Sequence, residues 1–224
     1  MKICALDAST LVASVALLED DTLVYEANLI HGLTHSQKLM PLVEAAFDMA
    51  GWQPGELDCL GVVAGPGSFT GLRIGVSTVK GMAKALDIPV VGLSTLAVLA
   101  GSVPFFRGLV LPMLDARRQQ VYTAIFWDGQ RQTEDMALGL DELLDRIEGP
   151  AYFLGDGAVT YRELIAEKLG ERAHFAPPPL MHQRAGVAAQ LTKIAFENGK
   201  TTQADALTPF YVRASSAKKA AWKS

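Results

Sequence analysis

The chain has 224 residues, half of them apolar and only 20% charged, with a net charge of −4 and a pI near 5.6. That is enough chain for one large domain or two lobes of roughly 100 residues each, and no apolar run approaches the roughly 18 residues needed to cross a membrane. The acidic balance excludes tight, unaided binding to nucleic acid, which needs clustered Lys and Arg; the basic tail Lys218-Lys219 and Lys223 is short and fits a solvated terminus.

The opening residues, Met1-Lys2-Ile3-Cys4-Ala5-Leu6-Asp7, are not a signal peptide, because Asp7 interrupts the apolar stretch. The expected location is therefore the cytoplasm. Strands are predicted over 3–6, 12–18 and 23–29, joined by the polar turn Asp7-Ala8-Ser9-Thr10 and the acidic turn Glu19-Asp20-Asp21, which makes an antiparallel meander. Leu39, Val43, Phe47 and Ala50 recur at near-helical spacing and predict a helix over 36–50. Pro41 implies that this helix starts near Met40 or bends there. A buried strand is expected over 58–64, then a glycine-rich loop over 65–71 and a helix over 70–86. Leu72, Val76, Val79, Ala83 and Leu86 form the apolar stripe of that helix, with Arg73, Ser77, Lys80 and Lys84 on another face. A short strand over 89–92 and a short helix over 94–100, capped by Ser94 or Thr95, complete the first half.

The second half reads as a looser copy. Strands are expected over 109–114 and 120–127, joined at Asp115-Ala116-Arg117-Arg118, and over 151–154, ending in Gly155-Asp156-Gly157. Helices are expected over 141–147, 161–169 and 187–198, the last stopped by Gly199. Strands followed by helices, twice over, predict two related α/β lobes facing a cleft, divided into residues 1–102 and 103–224.

Several features have residue types suited to chemistry. Asp7, Ser9 and Thr10 sit at a strand end, where a carboxylate beside two hydroxyls and backbone N–H groups suits a metal–phosphate group; on composition alone an ordinary turn bonded to its own backbone is the better account. The 65–71 loop, with Gly65, Gly67 and Ser68, follows a strand and opens a helix, the geometry that meets a phosphate. It lacks the ending of a Walker loop, and the Gly67, Gly71, Gly75 repeat also permits close backbone packing. His31 and His35 have metal-compatible i, i+4 spacing, but Gly32 lies between them, the segment follows a strand and no Glu stands where a zincin needs one. Cys4 and Cys59 each lie in an apolar strand and read as buried thiols rather than a zinc site or a disulfide. Asp115, Arg117 and Arg118 place a carboxylate and two guanidiniums at a strand end, which a charged hairpin turn also explains.

The run Gly65-Pro66-Gly67-Ser68-Phe69-Thr70-Gly71-Leu72-Arg73-Ile74-Gly75 resembles the signature of the TsaB (YeaZ) family. The similarity continues in Leu6-Asp7-Ala8-Ser9-Thr10, in His35-Ser36-Gln37-Lys38-Leu39-Met40-Pro41, in residues 115–122 and in Pro209-Phe210-Tyr211-Val212-Arg213. The resemblance implies an α/β protein of the actin-like ATPase (ASKHA) fold with two ribonuclease-H-like lobes. It also implies a non-catalytic scaffold for TsaD, the paralogue that transfers threonylcarbamoyl from threonylcarbamoyl-adenylate to adenosine 37 of tRNA. The ATPase TsaE joins the pair, tRNA is met only through the complex, and the chain self-pairs as a homodimer when alone.

TsaD-like proteins hold a metal with a His-x-x-x-His after the strand that follows their second helix. In this chain Thr95 and Leu99 stand at those positions, and an aliphatic group cannot ligate a cation. The expectation is no transfer activity, no metal and no cofactor beyond weak or vestigial nucleotide binding at Asp7, Ser9, Thr10, Gly65, Gly67, Ser68, Gly155 and Gly157. The resemblance puts the two N-terminal helices in a four-helix bundle with TsaD, with Leu39, Val43, Phe47, Leu72, Arg73, Val76, Val79 and Lys80 as interface candidates. The apolar members of that set are equally able to pack within the chain. A phosphotransferase of the same fold would instead need Asp7, the glycine loop and residues 155–157 to bind ATP. A peptidase finds no nucleophile–base pair.

Overall fold

The computed structural model describes residues 1–30 and 35–212, with the backbone alone at His35 and Ser36. The histidine pair His31 and His35, the basic tail and Arg213 of the closing motif lie outside the described residues and side chains.

The chain divides into two compact units. The first opens with β1 (Lys2–Asp7), β2 (Val12–Glu19) and β3 (Thr22–Ile30), an antiparallel meander as predicted. Helix α1 (His35–Ala50) leads to β4 (Cys59–Gly65), which returns parallel to β1. Helix α2 (Phe69–Leu86) then leads to β5 (Val90–Ser94), parallel to β4, giving the strand order β3-β2-β1-β4-β5. Pro41 lies inside a continuous α1 rather than at its start. Pro41 and Gln37, the residue one turn earlier whose carbonyl it cannot satisfy, are both exposed, so water can take the missing bond.

Helix α3 (Thr95–Gly101) follows, its N-terminus capped by Ser94, whose Oγ accepts the Ala97 N–H at 3.2 Å. The second unit is built on Leu99–Gln183. It contains β6 (Leu109–Arg117), β7 (Gln120–Thr123), β8 (Phe126–Trp127), β9 (Gln130–Arg131), β10 (Met136–Gly139), α4 (Leu140–Leu144), β11 (Ala151–Leu154), α5 (Asp156–Thr160), α6 (Arg162–Leu169) and β12 (Ala173–Phe175). Its main path runs β10-β7-β6-β11-β12. The first two pairings are antiparallel and the last two parallel, so it repeats the first sheet strand for strand. The expected strand over 120–127 is split between β7 and β8, and β9, β10 and β12 add to the strands expected from the sequence.

Helix α7 (Ala185–Glu197) crosses back to the first sheet. The division at 102/103 expected from the sequence is therefore corrected: the first unit comprises Met1–Val98 together with Arg184–Phe210. The reason is burial on both faces. Along β1 and β4 nearly every residue is buried, as expected for strands covered on two sides. Cys4, Leu6, Leu60 and Val62 face α1 and α2, while Ile3, Ala5, Cys59 and Val63 face Ala185, Ala188 and Ala189 of α7. Without α7 that second apolar face would be bare. The alternation also places Cys4 and Cys59 on opposite faces; both are free thiols pushed up to about 12 by burial.

After α7 the chain forms a strap on the first unit. Thr202 bridges Val90, Lys80 Nζ donates to the carbonyls of Asp205 (3.2 Å) and Leu207 (3.1 Å), and the Phe210 N–H donates to Ala64 O at 2.7 Å. Among the described residues no helix is long and apolar enough to cross a membrane.

Candidate functional site

The Asp7–Thr10 turn and the glycine loop do meet, at the ends of β1 and β4. The Ser9 N–H donates to Asp7 Oδ1 at 2.7 Å, and the Ser68 N–H donates to Ser9 O at 2.7 Å. A Cβ placed on Gly67 would lie 2.0 Å from Ser9 O, and one on Gly65 would lie 2.4 Å from Phe210 O. Ser68 caps α2 with its own Oγ, accepting from Gly71 N at 3.3 Å. The loop's glycines therefore serve close contact with the turn and the strap, and the Ser68 and Gly71 N–H groups already have partners.

Asp7 is wholly buried, and burial pushes its carboxyl up to about 6, against the lowering effect of the backbone N–H bond it accepts from Ser9. Asp7 Oδ2, Ser9 Oγ and Ser14 Oγ have no hydrogen-bond partner among the described residues. Asp7 and Ser14 are paired directly across β1 and β2. An actin-like fold implies a metal–nucleotide here. One buried carboxylate with two neutral hydroxyls is a poor donor set for a divalent cation, and no group of three His, Cys, Asp or Glu suited to a metal occurs among the described residues. These residues do not fit a metal–phosphate group.

Gly155 and Gly157 belong to the second unit. A Cβ on Gly155 would meet Met113 O at 2.1 Å, and one on Gly157 would meet Leu114 C at 2.9 Å. Both let the β11–α5 corner press on β6.

Thr95 and Leu99 fall one turn apart on α3, and both are fully buried. Thr95 Oγ1 has no partner among the described residues. The pair that would carry two imidazoles in a metal-binding relative thus offers one hydroxyl and one isobutyl group.

The helix residues need correction. Leu39, Val43, Phe47, Leu72, Val76 and Val79 are all buried, at 0–7% exposure, in the chain by itself, and four of them belong to one core cluster with β1, β2 and β4. They hold the helices to their own sheet and are not a docking surface. Lys80 is engaged by the strap. Arg73 is exposed, its guanidinium 3.8 Å from the centre of the Phe69 ring.

The accessible face of α2 is instead Thr70, Arg73, Ser77 and Gly81, with Phe69 at 55% exposure; on α1 it includes Met40 and Met49, the latter at 79%. A Cβ on Gly81 would touch nothing within 4 Å. The polar side of the helical periodicity marks what stays accessible, since the apolar stripe marks what a helix buries at home.

In the second unit Asp115, Arg117 and Arg118 lie at the β6–β7 hairpin, all exposed. Tyr161 Oη donates to Asp115 Oδ1 at 2.8 Å, and the Asp115 N–H donates to Asp156 Oδ1 at 3.0 Å. Burial, and to a lesser degree the nearby Asp115 charge, raises the Asp156 carboxyl.

A family model described as "TsaD: tRNA N6-adenosine threonylcarbamoyltransferase" matches residues 30–221. The "tRNA threonylcarbamoyladenosine biosynthesis protein TsaB" of Bacillus subtilis is 31% identical over 220 residues, covering 95% of this chain and 94% of that one. The structure titled "YeaZ from Pseudomonas aeruginosa" is 28% identical with a TM-score of 0.78, over 94% of this chain and 99% of that one. The ROK hexokinase of Thermus thermophilus, 11% identical with a TM-score of 0.52 over 88% of this chain and 100% of that one, shows the fold alone, that of the actin-like ATPases. The chain belongs to the TsaB (YeaZ) family, within the reach of the wider TsaD family model.

Proposed function

We propose that this chain is a non-catalytic, cytoplasmic scaffold subunit in the biosynthesis of threonylcarbamoyladenosine in tRNA, docking a TsaD-type transferase. The name of its Bacillus subtilis relative supports the pathway, and the TsaD family match supports a partner built like itself. The observation that carries the non-catalytic half is on α3, where Thr95 and Leu99 are both fully buried. A transferase that neutralises substrate phosphate with a cation needs an open coordination site, and neither group supplies one.

The docking surface in this reading is the outer face of α1 and α2. Ser77 and Gly81 leave room for another helix to approach, and Phe69 and Met49 provide apolar contact. A stable interface of roughly 1,200 Å² or more requires about this extent of two helices. TsaE joins the assembled pair, and without its partner the same face self-pairs into a homodimer. No cofactor is assigned to the chain, because its glycine loop is packed against the Ser9 carbonyl. Capture of a TsaD-type subunit by the tagged chain, followed by a tRNA modification assay with and without the chain, tests the proposal. No capture, with modification independent of the chain, would refute it.

A further inference from the structure

The β6–β7 hairpin closes in a way its sequence does not favour. Arg117 pairs with Gln120 across a register shift, leaving Arg118-Gln119 as a two-residue loop. Arg117, Arg118 and Gln119 have φ of 66°, 52° and 57°. Such loops are ordinarily built from Asn-Gly or Gly pairs, because other side chains resist positive φ. The other non-glycine residues with positive φ among the described ones, Asp20, Asp87 and Asp128, are all aspartates, which tolerate that region better.

The conformation is held from several sides. The Arg117 N–H donates to Asp115 Oδ1 at 2.8 Å, Tyr161 and Asp156 fix Asp115, and the Leu140 N–H donates to Gln119 O at 2.8 Å.

What this held turn presents is two adjacent guanidiniums. Both residues are exposed, and neither has an ion pair among the described residues, as is also true of exposed Arg107 and Arg162; what sets Arg117 and Arg118 apart is that they are adjacent on one held turn. Gln119 and Gln120 beside them are exposed as well, so the tip lacks the apolar centre of a protein–protein contact. Arg forks and Gln amides without such a centre suit a phosphodiester backbone, which is contacted for position rather than for sequence.

We propose that the Arg117-Arg118 tip contacts the tRNA phosphate backbone in the assembled complex, an inference that rests on the function proposed above. With a net charge of −4 the chain does not hold RNA alone, and the tip adds to binding made chiefly by the partner.

The test uses the full chain reconstituted with a TsaD-type subunit and tRNA, comparing wild type with Arg117→Gln/Arg118→Gln and Arg117→Gly/Arg118→Gly. Both variants are expected to bind tRNA about 10-fold more weakly, with a salt dependence shallower by about two phosphate contacts. Both still capture the partner, and the glycine variant melts no lower than wild type because glycine accepts positive φ. Unchanged tRNA affinity and salt dependence would overturn the inference, as would loss of partner capture, which would make the tip a protein contact. If the wild-type chain itself captures no partner, the proposed function has failed, and this inference with it.

Discussion

Glu26 on β3 accepts the backbone N–H of Gly186 at 2.9 Å and also pairs with Arg184. A carboxylate from the N-terminal meander thus caps the helix that returns some 160 residues later. The negative charge sits at the positive end of α7, and it joins the last helix to the first unit.

Burial alone would raise the Glu26 pKa, but the bonds from Arg184, from the Gly186 N–H and from Asn28 outweigh it and hold the carboxyl below its usual value. The folded state therefore binds this proton less readily than the unfolded one. Its stabilising share is present above the ordinary Glu pKa and is lost as pH falls through the lowered value. Glu26→Ala is expected to cost about 2–3 kcal/mol, lowering the melting temperature by roughly 4–12 °C, with the difference from wild type shrinking in acid. Calorimetric melting across pH checks this, and a constant difference would count against it.

Asp7 has the opposite sign. Its pKa rises from 3.8 to about 6 on folding, so the folded state holds the proton more tightly and stability falls as pH rises between those values. The full cost above neutral pH is about 3 kcal/mol. Asp7→Asn keeps an acceptor for the Ser9 N–H and removes that cost. The variant should be more stable than wild type, by a margin that grows by about 1–1.5 kcal/mol between roughly pH 5 and 7.5. Denaturant titrations at the two pH values measure it; a margin that does not grow would contradict the burial of a charged Asp7.

Two substitutions on α2 separate fold from docking. Val76 is 3% exposed, so Val76→Asp buries a charge without a partner and is expected to cost about 4 kcal/mol or more, leaving little folded protein. Gly81→Arg projects a long side chain from the open face. It should leave the melting temperature unchanged or higher, since Gly disfavours helix by about 1 kcal/mol relative to ordinary residues, yet abolish capture of the transferase subunit. Intact capture by the Gly81 variant would move the interface elsewhere.

Lys80 ties the strap to α2 through two carbonyls. Lys80→Met should speed amide exchange at residues 202–210 while leaving the centre of the sheet protected. Equal protection in both proteins would make the lysine dispensable.

Much of the fold was legible because its signals are periodic. The alternating meander, the helix that became α2 and the strand–helix repeat all survive comparison with the structure. The return of α7 was not legible. Nothing local in Ala185, Ala188 and Ala189 says which sheet they cover; that follows from β1 and β4 being apolar on both faces. The short strands β9, β10 and β12 were missed because two to four residues carry too little pattern. On α2 the apolar stripe Leu72, Val76 and Val79 was legible, but nothing in its spacing tells a stripe that serves the core from one that meets a partner. The Arg118-Gln119 turn lacks the residues that ordinarily announce positive φ, so only its backbone reveals it.

The central claim is that this chain contributes association and no chemistry. The most direct measurement is transfer of the threonylcarbamoyl group to tRNA by the chain alone, by a TsaD-type subunit alone, and by the two together. The account predicts no transfer by the chain alone and a large gain when the two are combined, a gain lost in Gly81→Arg. Turnover by the purified chain alone, or transfer by the partner that is indifferent to it, would contradict the account.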